Sequence, residues 1–214
     1  MYQRKVLSSL AMTALCAVLA APSMAAIIVT TPDDLLASFT MTDFPSDLRD
    51  DDSLVKYVDS PLGGKVEFWS MNQESPLWLT LDKNAAWFPA VLGDDYKTSE
   101  EWVELILPAN TRAFSFSVGA SGNGIGWVEG YGSSGSPAYQ AFTVSPTNTP
   151  GFGFASSDSC GTISKIIVEP WEWGIGNFAI SQGSCPTQVP EPDTLALFAA
   201  GVVGLVALRR RRIF

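Results

Sequence analysis

Five glutamates stand in or beside segments that alternate like strands: Glu67, Glu104, Glu129, Glu169 and Glu172. Carboxylates in pairs hydrolyse glycosides: one, its pKa raised, protonates the leaving oxygen while the other acts as nucleophile or base. None of the five sits in a catalytic motif, so an outward-facing, solvated row of acids is the competing expectation. Trp171 and Trp173 differ by two, so in an extended chain both rings project from one face, where they can stack on sugars or pack a core. Tyr131 and Tyr139 flank a Gly/Ser-rich loop that suits an adaptable rim. These four aromatics are the candidate carbohydrate contacts.

Other chemistries are excluded more firmly. The chain has no histidine, which removes Ser-His-Asp and Cys-His catalysis, histidine metal sites and histidine pH switching. The acid run Asp47-Leu48-Arg49-Asp50-Asp51-Asp52 suggests oxygen ligands for calcium, but counting from Asp50 puts Val55 at the required glycine and Pro61 at the twelfth position. An EF-hand is therefore rejected; a looser calcium loop and a plain acidic loop stay open, and no other metal or cofactor is expected. Gly122-Asn123-Gly124-Ile125-Gly126 lacks the Gly-Lys-Ser/Thr ending of a phosphate-binding loop.

The chain has 214 residues, enough for one core. Between residues 26 and 188 it holds seven Lys and Arg against twenty Asp and Glu, a formal charge of −13. Nucleic acid is not an expected partner, because phosphate neutralisation needs clustered bases.

The elements that must position these residues read as strands. In Arg112-Ala113-Phe114-Ser115-Phe116-Ser117-Val118 the large apolar side chains alternate with small or polar ones. Further strands are expected at 66–69, 77–81, 102–107, 125–129, 139–144, 152–155, 163–169 and 173–181. Pro61-Leu62-Gly63-Gly64, Ser121-Gly122-Asn123-Gly124 and Thr147-Asn148-Thr149-Pro150-Gly151 are among the turns that separate them. Many short strands with little helix predict an all-β fold, an antiparallel jelly-roll-like β-sandwich over residues 26–188.

The two ends are of another kind. Arg4 and Lys5, an apolar run from Leu10 to Ala21, and Pro22-Ser23-Met24-Ala25 form a signal peptide pattern over residues 1–25, with cleavage expected after Ala25 or Ala26. The partners this predicts are the secretory translocon and signal peptidase. At the far end, Val189-Pro190-Glu191-Pro192-Asp193 precedes an uncharged stretch, 194–208, and then Arg209, Arg210, Arg211 and Arg212. As a helix the stretch would reach about 22 Å at about 1.5 Å per residue, short of a roughly 30 Å hydrocarbon core. The four arginines favour a single transmembrane helix with a stop-transfer flank on the cytoplasmic side, because they suit a lipid interface and not a packed interior.

This order of Val-Pro-Glu-Pro, short apolar helix and basic cluster, over residues 189–214, resembles the PEP-CTERM sorting signal of exported bacterial proteins. The resemblance implies recognition by an exosortase at Pro190, Glu191 and Pro192. It further implies an inner-membrane intermediate, then the cell surface or extracellular matrix of a Gram-negative bacterium, commonly with exopolysaccharide and biofilm. Residues 163–169 and 174–180 are similar to the closing strand pair of many such bodies, except that Gly176 stands where those carry an acid, and this supports a lectin-like sandwich.

Cys16 would leave with the signal peptide, so Cys160 and Cys185 remain. In an exported chain they predict one disulfide, worth roughly 3.5 kcal/mol for a loop of this length; two thiolates without histidine leave a zinc site half empty. The expected function is a non-enzymatic, exosortase-processed surface or matrix protein associated with carbohydrate. A secreted hydrolase using paired carboxylates and a purely structural coat or adhesin domain are the alternatives.

Overall fold

A computed structural model describes residues 26–71, 75–83, 94–99, 102–132, 136–158, 160–169 and 173–184. The chain divides into two compact units, residues 1–183 and 184–214. Nearly all of the described residues belong to the first. The expected signal peptide, the Val189–Pro192 motif, the 194–208 helix and Arg209–Arg212 lie outside the described residues. Among the described residues no helix is long and apolar enough to cross a membrane.

The described residues of the first unit form strands in two antiparallel sheets, with one short helix among them. In chain order the elements are β1 (Ile27–Thr30), α1 (Pro32–Ser38), β2 (Thr42–Asp43), β3 (Leu54–Val55), β4 (Tyr57–Asp59), β5 (Lys65–Ser70), β6 (Ser75–Pro76), β7 (Leu79–Asp82), β8 (Asp95–Thr98), β9 (Val103–Ile106), β10 (Thr111–Ala120), β11 (Gly124–Gly132), β12 (Ala138–Val144), β13 (Gly151–Ser156), β14 (Ile163–Glu169) and β15 (Trp173–Gln182). The eight-stranded sheet runs β1-β13-β10-β15-β8-β7-β3, with β2 also on β15, and the seven-stranded sheet runs β12-β11-β14-β9-β5-β4, with β6 on β5.

The alternation in β10 works as expected. Phe114, Phe116 and Val118 are fully buried in the main core, while Ala113 faces away, against Leu35 of α1 and Ala155. Rings cross between the sheets: Phe68 of β5 lies 5.5 Å from Tyr96 of β8, and Phe142 of β12 lies 4.9 Å from Phe152 of β13. The sheets thus pack face to face as a sandwich whose interior is a single aromatic-rich cluster. Gly130 faces that interior, where a Cβ would stand 2.4 Å from the Phe154 ring; only glycine lets the sheets approach this closely there.

One expectation is corrected. The segments read as a closing strand pair, β14 and β15, fall in different sheets: β14 pairs with β11 and β9, β15 with β10, β8 and β2. The β15 strand bulges at Asn177, which takes a positive φ of 54° and separates the part paired with β8 from the part paired with β2. Helix α1, unforeseen, is capped by Thr31, whose hydroxyl accepts from the Asp34 amide, with Pro32 and two aspartates in its first turn.

Candidate functional site

The outer face of the seven-stranded sheet collects most of the chemistry. In β5, Val66 and Phe68 are core, so Lys65, Glu67 and Trp69 point outward; in β11, Val128 is core, so Ile125, Trp127, Glu129 and Tyr131 do. Pairing aligns these into rows. One row crosses Tyr139, Glu129, Ile167, Glu104 and Trp69; a second crosses Tyr131, Lys165, Ile106, Glu67 and Tyr57; a third sets Trp127 beside Glu169.

Thus Tyr131, Tyr139, Glu67, Glu104, Glu129 and Glu169, all singled out in the sequence, share one surface. The rings touch. Trp102 meets Trp127 edge-on at 4.6 Å, and Trp127 lies 6.3 Å from Tyr139, which is 61 % exposed. Ile167, in the middle of the face, is buried beneath these long neighbours.

Two of the acids are tied down. Glu67 accepts from Lys65 Nζ at 3.0 Å and from the Trp69 indole N–H at 3.1 Å, and these bonds hold its carboxyl below the usual range. Glu104 accepts from Lys165 Nζ at 3.0 Å. The two ammonium groups also sit over rings, Lys65 4.8 Å from the Tyr57 centroid and Lys165 4.7 Å from that of Tyr131. Tyr131 is shifted upward by burial and by its hydrogen bond to Glu129. A carboxyl kept ionised, as Glu67 is, cannot carry the proton of a general acid. The face is suited to stacking and hydrogen bonding.

Trp173 does not join it. It is 1 % exposed, on a strand flanked by β10 and β8, and belongs to the interior cluster, so of the two readings open for it, sugar platform or core, Trp173 takes the core. Trp171 and Glu172 lie outside the described residues. The tryptophans that do reach the face, Trp69, Trp102 and Trp127, were assigned no role from sequence, although the period-2 spacing of Glu67 with Trp69 and of Trp127 with Glu129 and Tyr131 signals a shared face.

One acid of the run is neutralised by the run's own arginine. Asp47 pairs with Arg49, whose Nε lies 2.9 and 3.0 Å from the two carboxylate oxygens, and accepts from the Tyr96 hydroxyl at 3.3 Å. Burial pulls the Asp47 carboxyl up, but the bonds and charge of Arg49, with Tyr96, outweigh it and leave the group below its ordinary value. Arg49 also donates to the Tyr57 carbonyl at 2.7 Å. Among the described residues no group of three or more Asp, Glu, Cys or His is placed to hold a metal ion. The same segment walls a cleft of about 510 Å³ lined by Phe44, Arg49, Tyr57 and Asp59, and a second of about 380 Å³, sharing Phe44 and Tyr96, lined also by Asp43, Asp94 and Asn177.

A third arrangement was not foreseen. Asp95 of β8 is fully buried, and neither carboxylate oxygen has a hydrogen-bond partner among the described residues. Burial, against the pull of Lys97 and with the push of Asp82, raises its pKa to about 8. Asp82 opposite it is paired with Lys97. Nothing in Asp94-Asp95-Tyr96-Lys97 alternates in hydropathy strongly enough to mark β8 in advance.

Cys160 lies in an exposed turn, its amide donating to Asp158 at 3.0 Å, whereas its expected partner Cys185 is outside the described residues.

Residues 188–212 match the PEP-CTERM protein-sorting motif. The motif implies processing by an exosortase, with export and cell-surface or membrane-associated sorting. No curated protein matches the chain.

Proposed function

We propose that the β-sandwich is a non-enzymatic, lectin-like module that binds polysaccharide through the outer face of its seven-stranded sheet. In this reading the exosortase delivers it to the cell surface or extracellular matrix of a Gram-negative bacterium. The observation that carries it is the grid of Trp69, Trp102, Trp127, Tyr131 and Tyr139 interleaved with carboxylates on one sheet. Rings supply flat apolar area to sugar faces, and the acids between them accept from hydroxyls. Strands about 4.8 Å apart space these contacts along a chain-like ligand better than a closed pocket would.

Binding of the exported protein to a glycan array tests this. Trp69→Ala, Trp127→Ala and Tyr139→Ala are each expected to weaken binding about tenfold, at roughly 1–2 kcal/mol per stacked ring. Absence of binding to any glycan would shift the assignment to a structural coat domain.

The hydrolase alternative has one observation in its favour: Asp82 and Asp95 are opposed carboxyls, one paired with Lys97 and one with its pKa raised to about 8. Asp95 is fully buried, however, and a glycosidic oxygen has no route to it in this conformation.

A further inference from the structure

We propose that the polysaccharide taken by this face carries free amino groups, as a partly N-deacetylated amino-sugar polymer does. The inference rests on the polysaccharide-binding reading and specifies its ligand. The face builds the same three-part contact twice from its own side chains. Lys65 Nζ lies 3.0 Å from Glu67 Oε1 and 4.8 Å from the Tyr57 centroid; Lys165 Nζ lies 3.0 Å from Glu104 Oε1 and 4.7 Å from the Tyr131 centroid. Each is an ammonium held between a carboxylate and a ring.

A third set has the carboxylate and the rings but no lysine of its own. Glu129 stands directly opposite Tyr139 across β11 and β12, with Trp127 two residues before it on the same face and Tyr131, its hydrogen-bond donor, two residues after. Trp127 and Tyr139 are 6.3 Å apart, and Tyr139 is open to solvent. Among the described residues, Lys65 and Lys165 on this face are engaged by Glu67 and Glu104, and none pairs with Glu129. A ligand ammonium at Glu129 would gain an ion pair and two ring faces at once.

Charge complementarity points the same way. The face carries Asp59, Glu67, Glu104, Glu129 and Glu169 against Lys65, Lys165 and, beside Glu67, Lys56, a balance of −2, within a domain of −13. Uronate-rich polymers are repelled by such a surface, neutral ones are indifferent to it, and aminated ones are drawn in.

The test compares chitosan oligomers, fully N-acetylated oligomers of the same length and alginate, on the exported protein, by calorimetry at about pH 6, where the polymer amines are protonated. Chitosan is expected to bind about tenfold tighter than the acetylated oligomer and to lose that margin in about 0.5 M salt, where the Debye length is a few Å. Glu129→Gln should remove most of the margin, weakening chitosan about tenfold and the acetylated oligomer, which loses only a hydroxyl acceptor there, by much less. Asp33→Asn, which deletes the same charge from α1, should change neither. If acetylated oligomer or alginate binds as well as chitosan, or if Asp33→Asn matches Glu129→Gln, the amino-group specificity is wrong although the platform stands. If none of the three binds, and the array is equally blank, the platform itself falls.

Discussion

Asp82 and Asp95 face each other across β7 and β8, and only one of them has the lysine: Lys97 pairs with Asp82, while Asp95 is fully buried with both carboxylate oxygens unpartnered among the described residues. Leu81 and Tyr96, their chain neighbours, are in the core, so both acids lie on the outer side of the eight-stranded sheet. The consequence is a carboxyl that folds in its protonated form.

That arrangement makes stability depend on pH. Unfolded, Asp95 ionises near its ordinary value of 3.8; folded, near 8. Between these the native state binds the extra proton, so its contribution declines as pH rises through the window and is constant below and above it. The slope is about 1.4 kcal/mol per pH unit for one proton. Asp95→Asn should therefore be more thermostable than the natural protein at about pH 8, with the advantage shrinking towards about pH 4. Melting curves followed by circular dichroism across that range decide it, and parallel pH profiles for the two proteins would falsify the assignment.

Gly130 offers a purely steric prediction. An alanine Cβ there would meet the Phe154 ring at 2.4 Å and Ile27 at 3.1 Å, all core atoms with little room to give. Gly130→Ala is expected to cost about 1–3 kcal/mol, as overpacking does, and to lower the melting temperature by several degrees. Gly122→Ala, in a turn where nothing lies within 4 Å of the new methyl, is the matched control and should melt like the parent. Equal melting of all three would mean that the two sheets are less closely packed than described.

The legible part of this fold was what alternation writes locally. Phe114, Phe116 and Val118 announce β10, and Ile163–Glu169 is found at the expected bounds. The short strands β2, β3, β4 and β6 escaped because two or three residues cannot show a period. Trp173 stayed open between core and platform for another reason: period-2 spacing puts a ring on one face but says nothing of which face is the inner one. For Trp173 that face is the interior; for Trp127, with identical local spacing to Glu129, it is solvent. The register that lines up Glu129 with Tyr139 and Ile167 joins strands β11, β12 and β14, and no one segment encodes it.

The cysteines give a covalent prediction. Cys160 lies in an exposed turn, and Cys185 follows it 25 residues later in the chain. A Cys160–Cys185 link is expected in the exported protein, worth roughly 3.5 kcal/mol by loop-closure entropy. Non-reducing peptide mapping should recover the crosslinked pair, and Cys160→Ser with Cys185→Ser should melt lower; two alkylatable thiols in the natural protein would overturn it.

Processing of the tail is expected to separate from export, because the signal peptide expected at residues 1–25 and the sorting motif matched at 188–212 lie at opposite ends. The residues matched to the sorting motif, 188–212, include Pro190, Glu191 and Pro192. Prolines lack a backbone donor and keep such a segment extended, the form in which a protease can hold it, and Glu191 supplies a charge to be read. Replacing all three by alanine removes the stiffness and the charge. The substituted protein should still leave the cytoplasm on the strength of residues 1–25, lose the signal peptide, and retain the apolar stretch and Arg209–Arg212, staying with the membrane fraction. Mass spectrometry of the C terminus in cells with and without an exosortase reads this directly. A tail removed from the alanine variant at the natural rate would show that Pro-Glu-Pro is not what the processing enzyme recognises.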